Sequence, residues 1–165
     1  MIADRGARSR AFFERNAEAF EASQDLIALP DRYLPMLTEW LPAWGAQALE
    51  IGPGLGEFLP TLLGRFDTVW AVDRSEEMLR RCAQRLAKDG DALPHFHCGA
   101  FEHLDGREAA ARGHRTVVLA MVLHHSQTPA ALTRAAVRAL AADGELLVAE
   151  LSPCLLYTSP SPRDS

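Results

Sequence analysis

Five short apolar runs, separated by stretches with helical spacing, leave this chain few folds to choose from. Ala46–Ile51, Thr68–Val72, Pro94–Cys98, Thr116–Val122 and Glu145–Leu151 read as strands. Between them Leu55–Leu63, Ser75–Lys88 with Ser75 at its N-cap, and Pro129–Ala142, stopped by Asp143-Gly144, read as helices. The run Thr116–Val122 is apolar almost throughout, so both of its faces need cover. Strand and helix alternating in this way predict an α/β fold, a parallel sheet with helices on both faces and right-handed crossovers. Two further helical stretches come first. Arg8 to Ser23 carries Phe12, Phe13, Ala17 and Phe20, and Pro30 to Trp40 carries Tyr33, Leu34, Leu37 and Trp40, with Pro42 and Gly45 punctuating the exit. The expected organisation is a helical cap over 1–45 and a core over 46–153.

A chain of 165 residues, 48% of them hydrophobic, has material for one core and not for two. Its longest strictly apolar run, Val117 to Leu123, is far short of the ~20 residues that span a bilayer. The N-terminus shows no apolar stretch behind its charges, so no secretory leader and no membrane partner are expected. With 17 Lys and Arg against 22 Asp and Glu the net charge is −5, and no basic run interrupts it. The electrostatic footprint of a nucleic-acid binder is missing. Three widely spaced cysteines make neither a disulfide framework nor a zinc site, and the expected compartment is the cytoplasm.

The residues with the most chemical content are Glu50-Ile51-Gly52-Pro53-Gly54-Leu55-Gly56, at the handover from the first strand to the first helix of the core. Glycines there let the backbone turn sharply and let a ligand approach where a Cβ would clash. Asp73 stands 17 residues after Gly56, at the end of the second strand, where a carboxylate can accept from both hydroxyls of a ribose. The plain alternative is a helix-entry loop followed by an Asp that caps the next helix. A dinucleotide site wants Gly-x-Gly-x-x-Gly with a pyrophosphate at the helix start. Here the spacing is Gly-x-Gly-x-Gly and the position of the third dinucleotide glycine is Glu57, which would repel a pyrophosphate. The pattern leans away from NAD and towards S-adenosylmethionine.

Ala48-Leu49-Glu50-Ile51-Gly52-Pro53-Gly54-Leu55-Gly56 resembles the first motif of class I S-adenosylmethionine-dependent methyltransferases. Ala71 to Leu79 resembles the second motif, Gly99 to Leu104 the third, Val117 to His125 the fourth, and Ala135 to Leu151 the helix, turn and fifth strand that follow. The resemblance covers about residues 8 to 152 and implies a Rossmann-like fold, S-adenosylmethionine as cofactor and a small-molecule methyl acceptor. It also implies a cofactor set of Glu50, Gly52, Gly54, Gly56, Asp73, Arg74, Met78, Ala100, Phe101 and Ala120. Two departures stand out. Relatives place an Asp that bonds the adenine amino group where this chain has Ala100. They also add a final helix and an antiparallel hairpin, which nothing after Pro153 supplies, because Cys154 to Asp164 reads as a translated sequencing adaptor.

His124 and His125 follow the fourth strand, at the sheet edge where ligands bind, and are the candidate general bases; the alternative is a packing or capping role. His95, His97, His103 and His114 make no metal-ligand spacing with a carboxylate or thiol, and no metal is expected. Tyr33, Met36 and Trp40 are candidates for an acceptor pocket, with plain core packing as the alternative. Two other functions stay open. One is a nucleotide-cofactor oxidoreductase, separable by comparing affinity for S-adenosylmethionine and NAD. The other is a non-catalytic sensor or scaffold on the same fold, separable by a methyl-transfer screen.

Overall fold

Pro30 opens helix α1 (Pro30–Trp40) in the computed structural model, which describes residues 30–104 and 108–151. The helix expected at Arg8–Ser23 and the tail from Cys154 lie outside the described residues. Five strands follow: β1 (Gly45–Ile51), β2 (Phe66–Asp73), β3 (His95–Cys98), β4 (His114–Ala120) and β5 (Leu140–Ala149). They form one sheet in the order β3-β2-β1-β4-β5, with every neighbouring pair parallel. The connecting helices are α2 (Leu59–Leu63), α3 (Glu76–Asp89) and α4 (Pro129–Ala139). This is the expected Rossmann-like sheet. β5 is an edge strand among the described residues, with β4 as its neighbour.

Side-chain alternation along the strands builds two cores. Ala48, Val69, Ala71 and Val118 face one way, against Leu37 and Leu41 near α1, Leu59 and Leu62 of α2, and Cys82 and Leu86 of α3. Leu49, Ile51, Val72, Val117 and Leu119 face the other way, against Leu132, Ala135, Ala136 and Ala139 of α4. β1 is central and buried on both faces. Ser75 caps α3 as expected, its hydroxyl accepting from the Met78 N–H at 3.2 Å. No helix among the described residues is long and apolar enough to cross a membrane.

Four expected elements have corrected bounds. The helix expected over Leu55–Leu63 shrinks to Leu59–Leu63, because Gly52, Gly54 and Gly56 all have positive φ and hold the preceding segment in a turn. β4 spans His114–Ala120 instead of Thr116–Val122. It starts early because His114 is fully buried, its Nε2 3.0 Å from the Ala109 carbonyl, and it stops early because Met121 takes φ 58°. The helix expected to reach Ala142 ends at Ala139, and β5 runs over Leu140–Ala149 instead of Glu145–Leu151. Leu140-Ala141-Ala142 has good intrinsic helix propensity, but pairing of Leu140 with His114 overrides it. The surplus residues up to Gly144 are taken up by an irregularity before Glu145 pairs with Thr116.

The consequence for function is positional. The strand order reverses at β1, with β2 and β3 on one side and β4 and β5 on the other. Such a switch point leaves a crevice outside the carboxyl ends of the strands.

Candidate active site

A cleft of about 1200 Å³, its open mouth included, occupies that crevice. The ends of β1, β2, β3 and β4 each contribute an acid or a loop to it. β1 ends in Glu50 and hands over to Gly52, Pro53 and Gly54; β2 ends in Asp73, followed by Arg74 and Ser75; Phe101 and Glu102 follow β3. Ala120, Met121, Val122 and His125 follow β4, and Tyr33 and Leu34 of α1 complete the lining.

Nine of the twelve residues expected at the site line this cleft: Glu50, Gly52, Gly54, Asp73, Arg74, Met78, Phe101, Ala120 and His125. Gly56, Ala100 and His124 do not. Gly56 is buried behind the loop, where a Cβ would come within 2.5 Å of the Cys82 Sγ, so its role is close packing of the loop on α3. Ala100 precedes the short 3₁₀ turn Phe101–His103, and that turn presents Phe101 and Glu102 to the cleft instead. His124 turns to β5, its Nδ1 2.5 Å from the Glu150 carboxylate, which also accepts the Leu123 and His124 backbone N–H groups at 2.8 and 3.2 Å. Met36 and Trp40 are also corrected. They are 63% and 72% exposed and do not line the cleft, whereas Tyr33, Leu34 and Leu37 of α1 pack inward.

The cleft is electrostatically acidic. Glu50 is buried, with its Oε2 unpartnered, and burial, reinforced by Glu57, pushes its carboxyl from 4.5 up to about 8. Asp73 rises to about 6 through burial, opposed by the Ser75 N–H that donates to its Oδ1 at 2.9 Å and by Arg74. Burial, then Glu57 and Glu50, raises the Tyr33 hydroxyl to about 12. Burial and the neighbouring His124, whose ring centroid lies 3.9 Å away, hold His125 down at about 4 against the opposing pull of Glu150. Arg74 is engaged with the Glu102 carboxylate. Phosphates are poorly suited to such a surface, whereas a ligand carrying a cationic end and ribose hydroxyls matches the unpartnered Glu50 oxygen and Asp73.

Sequence reasoning missed Glu102, Glu150 and the buried His114. Glu102 stands in the third motif beside residues that were singled out, but its partners Arg74 and Thr128 are 28 and 26 residues away. The pairing of Glu150 with His124 likewise spans 26 residues. No local pattern signals contacts of that kind.

A methyltransferase-domain family model matches residues 49–148. Among solved structures, the fold is similar to a S-adenosylmethionine-dependent methyltransferase from Clostridium acetobutylicum (17% identity, TM-score 0.61, 79% of this chain and 56% of that one). It is similar to one from Mesorhizobium loti (23%, 0.58, 70% and 52%) and to a rRNA methylase from Streptococcus thermophilus (23%, 0.53, 74% and 72%). The chain thus spans about half the length of the first two of these proteins. No curated protein matches. Likenesses at such identities carry the fold alone, but the family model spans more than half of the chain, from β1 into β5, and takes in the glycine loop and the four acids that line the cleft, Glu50, Glu57, Asp73 and Glu102. The chain belongs to the methyltransferase-domain family, whose methyl donor is S-adenosylmethionine.

Proposed function

We propose that this chain is the cofactor-binding core of a S-adenosylmethionine-dependent methyltransferase acting on a small-molecule acceptor. The observation that carries the reading is the pair of acids at the switch point, buried Glu50 with an unpartnered oxygen on β1 and half-buried Asp73 at the end of the neighbouring β2. When bound, S-adenosylmethionine supplies a methyl group already activated on a sulfonium sulfur, so the protein's tasks are to bind, orient and exclude water. Orientation alone lowers such barriers by ~7–11 kcal/mol in favourable cases.

Glu50 would hold the ammonium end of the cofactor and Asp73 the ribose hydroxyls, with the Ser75 N–H fixing one Asp73 oxygen. Gly52 and Gly54, both at positive φ, would let the ligand lie against the loop backbone. Phe101, Val72, Met78 and Leu132 supply apolar cover. Replacing Asp73 by Ala is expected to weaken S-adenosylmethionine binding by about 1–3 kcal/mol, the scale for losing a hydrogen-bonded charged partner. Calorimetric titration of both proteins measures it, and equal affinities would take Asp73 out of the site.

His125 is the remaining candidate base, because it faces the cleft while His124 is committed to Glu150. Held at about 4, His125 is neutral at pH 7 and available to take a proton from a protic acceptor. As a weak base it should contribute modestly. His125→Asn is expected to lower turnover about 10- to 100-fold with cofactor affinity unchanged. The acidic limb of the wild-type pH–rate profile should lie near 4 instead of near 6.5, and the variant should lose it. An identical profile in the variant leaves His125 a wall residue.

The small-molecule acceptor is favoured by the recessed cleft and by the absence of a basic run in a chain of net charge −5. A methyl-transfer screen with labelled cofactor, offering small protic acceptors in one arm and RNA in another, tests it. Label incorporated only into RNA would overturn the small-molecule assignment.

A further inference from the structure

The short turn that carries His125 has no cap of its own. Leu123–His125 is a single 3₁₀ turn, and Val122 before it brings no side-chain hydrogen bond. The first N–H groups of such a turn have no partner inside it. Here those of Leu123 and His124 both go to one carboxylate oxygen, Glu150 Oε2, at 2.8 and 3.2 Å. The other oxygen, Oε1, accepts the Leu151 N–H at 2.9 Å and lies 2.5 Å from His124 Nδ1. An acid at the end of β5 therefore caps a turn at the end of β4, from 26 and 27 residues away. Just before the turn Met121 takes φ 58°, a costly conformation for a residue with a Cβ, and its N–H donates to the Ala149 carbonyl at 2.8 Å. Such strain persists where the surroundings over-determine it, and here two consecutive residues at the end of β5 hold the backbone N–H groups of Met121, Leu123 and His124.

The stretch held in this way is a wall of the cleft. Met121, Val122 and His125 line it, whereas Glu150 does not, so Glu150 acts on that surface only through its neighbours. Burial alone would raise the Glu150 carboxyl, but the Leu151 N–H and then the His124 ring and N–H hold it below its ordinary value, and it stays ionised at neutral pH. Opposite a carboxylate at this distance His124 Nδ1 carries a proton, which fixes both the tautomer and the orientation of the ring. The His125 ring lies against that ring, with centroids 3.9 Å apart and a tilt of 46°. His125 is placed twice over, through the backbone of its turn and through the ring of His124. We infer that Glu150 is a positioning residue for the reaction, holding the wall from Met121 to His125, and the candidate base with it, from outside the cleft.

On the methyltransferase reading, on which this inference rests, the two kinds of bond that Glu150 makes can be separated by substitution. Glutamine keeps an oxygen for the two backbone N–H groups and turns an amide N–H towards His124 Nδ1, which must then accept. Alanine removes the cap and the ring contact together.

Wild type, Glu150→Gln and Glu150→Ala are compared by amide hydrogen exchange at Leu123 and His124, by nitrogen NMR of the His124 ring at about pH 8, where an ordinary imidazole is neutral, by calorimetry with S-adenosylhomocysteine, and by turnover of an acceptor scored in the labelled methyl-transfer screen. Wild type should carry the His124 proton on Nδ1. Glu150→Gln should move it to Nε2, keep both amides protected and keep kcat within about threefold. In Glu150→Ala both amides should exchange at least about tenfold faster and kcat should fall at least about tenfold, while affinity for S-adenosylhomocysteine changes less than about twofold. A wild-type His124 protonated on Nε2 alone overturns the inference before any acceptor is known. So does an Ala variant that keeps its kcat, or one whose affinity falls in step with kcat, as general loosening of the fold would produce. Should the Ala variant not fold, a Gln variant that loses turnover while its amides stay protected overturns it equally. Failure of wild type to bind S-adenosylhomocysteine instead removes the cofactor reading beneath it.

Discussion

Glu50→Gln is expected to make the unliganded protein more stable and the liganded one weaker. Glu50 binds its proton far more tightly folded than unfolded, with its carboxyl at about 8 instead of 4.5. A raised carboxyl makes its favourable contribution below the unfolded value and loses it as pH climbs through the folded one. Stability should therefore fall between about pH 4.5 and pH 8 in wild type, and the neutral amide should abolish that part of the slope. At pH 8 the difference is roughly 3–5 kcal/mol in favour of Gln, at 1.36 kcal/mol per unit, and below pH 4 it vanishes. Urea unfolding of both proteins at pH 4 and pH 8 measures it. A gap of equal size at the two values would mean that packing, not ionisation, separates them.

The ligand side has the opposite sign. An ammonium group placed on Glu50 favours the carboxylate, so binding at pH 7 should expel up to about one proton and should tighten as pH rises from 6 towards 8. Titrations in buffers of different ionisation enthalpy count that proton. Its disappearance in Glu50→Gln, together with lower affinity, would identify the same group as the source of both effects.

Gly56→Ala is the second large effect, and it belongs to folding. The added Cβ would stand 2.5 Å from the Cys82 Sγ and 3.2 Å from Leu59 Cδ1, on a residue with φ +80°. Overpacking a buried contact costs about 1–3 kcal/mol and the left-handed backbone adds about 1–2, so a loss of about 2–5 kcal/mol is expected. That is a large share of the ~5–15 kcal/mol that keeps a domain folded. Because the nearest atom is a thiol sulfur, Cys82→Ala in the same protein should return the packing part and leave the backbone part. Denaturation midpoints of the single and double variants decide the matter. A double variant no more stable than Gly56→Ala alone would exonerate the thiol.

Much of this was legible in the sequence, for reasons that can be stated. Periodicity of 2 and 3.6 fixed the alternation of strand and helix, and α1 begins and ends where its spacing places it. Ser75 announced the start of α3, and the glycine loop with Asp73 located the cleft. What escaped depends on partners distant in the chain. Leu140 is drawn into β5 by His114, which no local propensity encodes. Gly56 shares its spacing with Gly52 and Gly54, but only the docking of α3 reveals that it faces Cys82 and not the ligand. His124 and His125 are neighbours in sequence, yet the carboxylate of Glu150 captures one and leaves the other in the cleft wall.

The capture of His124 by Glu150 also bears on how such a protein can diversify. The three acids Glu50, Asp73 and Glu102 all come from residues 50–102, on β1, β2 and the turn after β3. The wall from Ala120 to His125 is secured by Glu150, the residue after β5. Inheritance can therefore rework the two walls separately. Substitutions at Met121 to His125 and at Glu150 can reshape that wall while the Ser75 N–H goes on holding Asp73 and Glu50 stays seated at the end of β1.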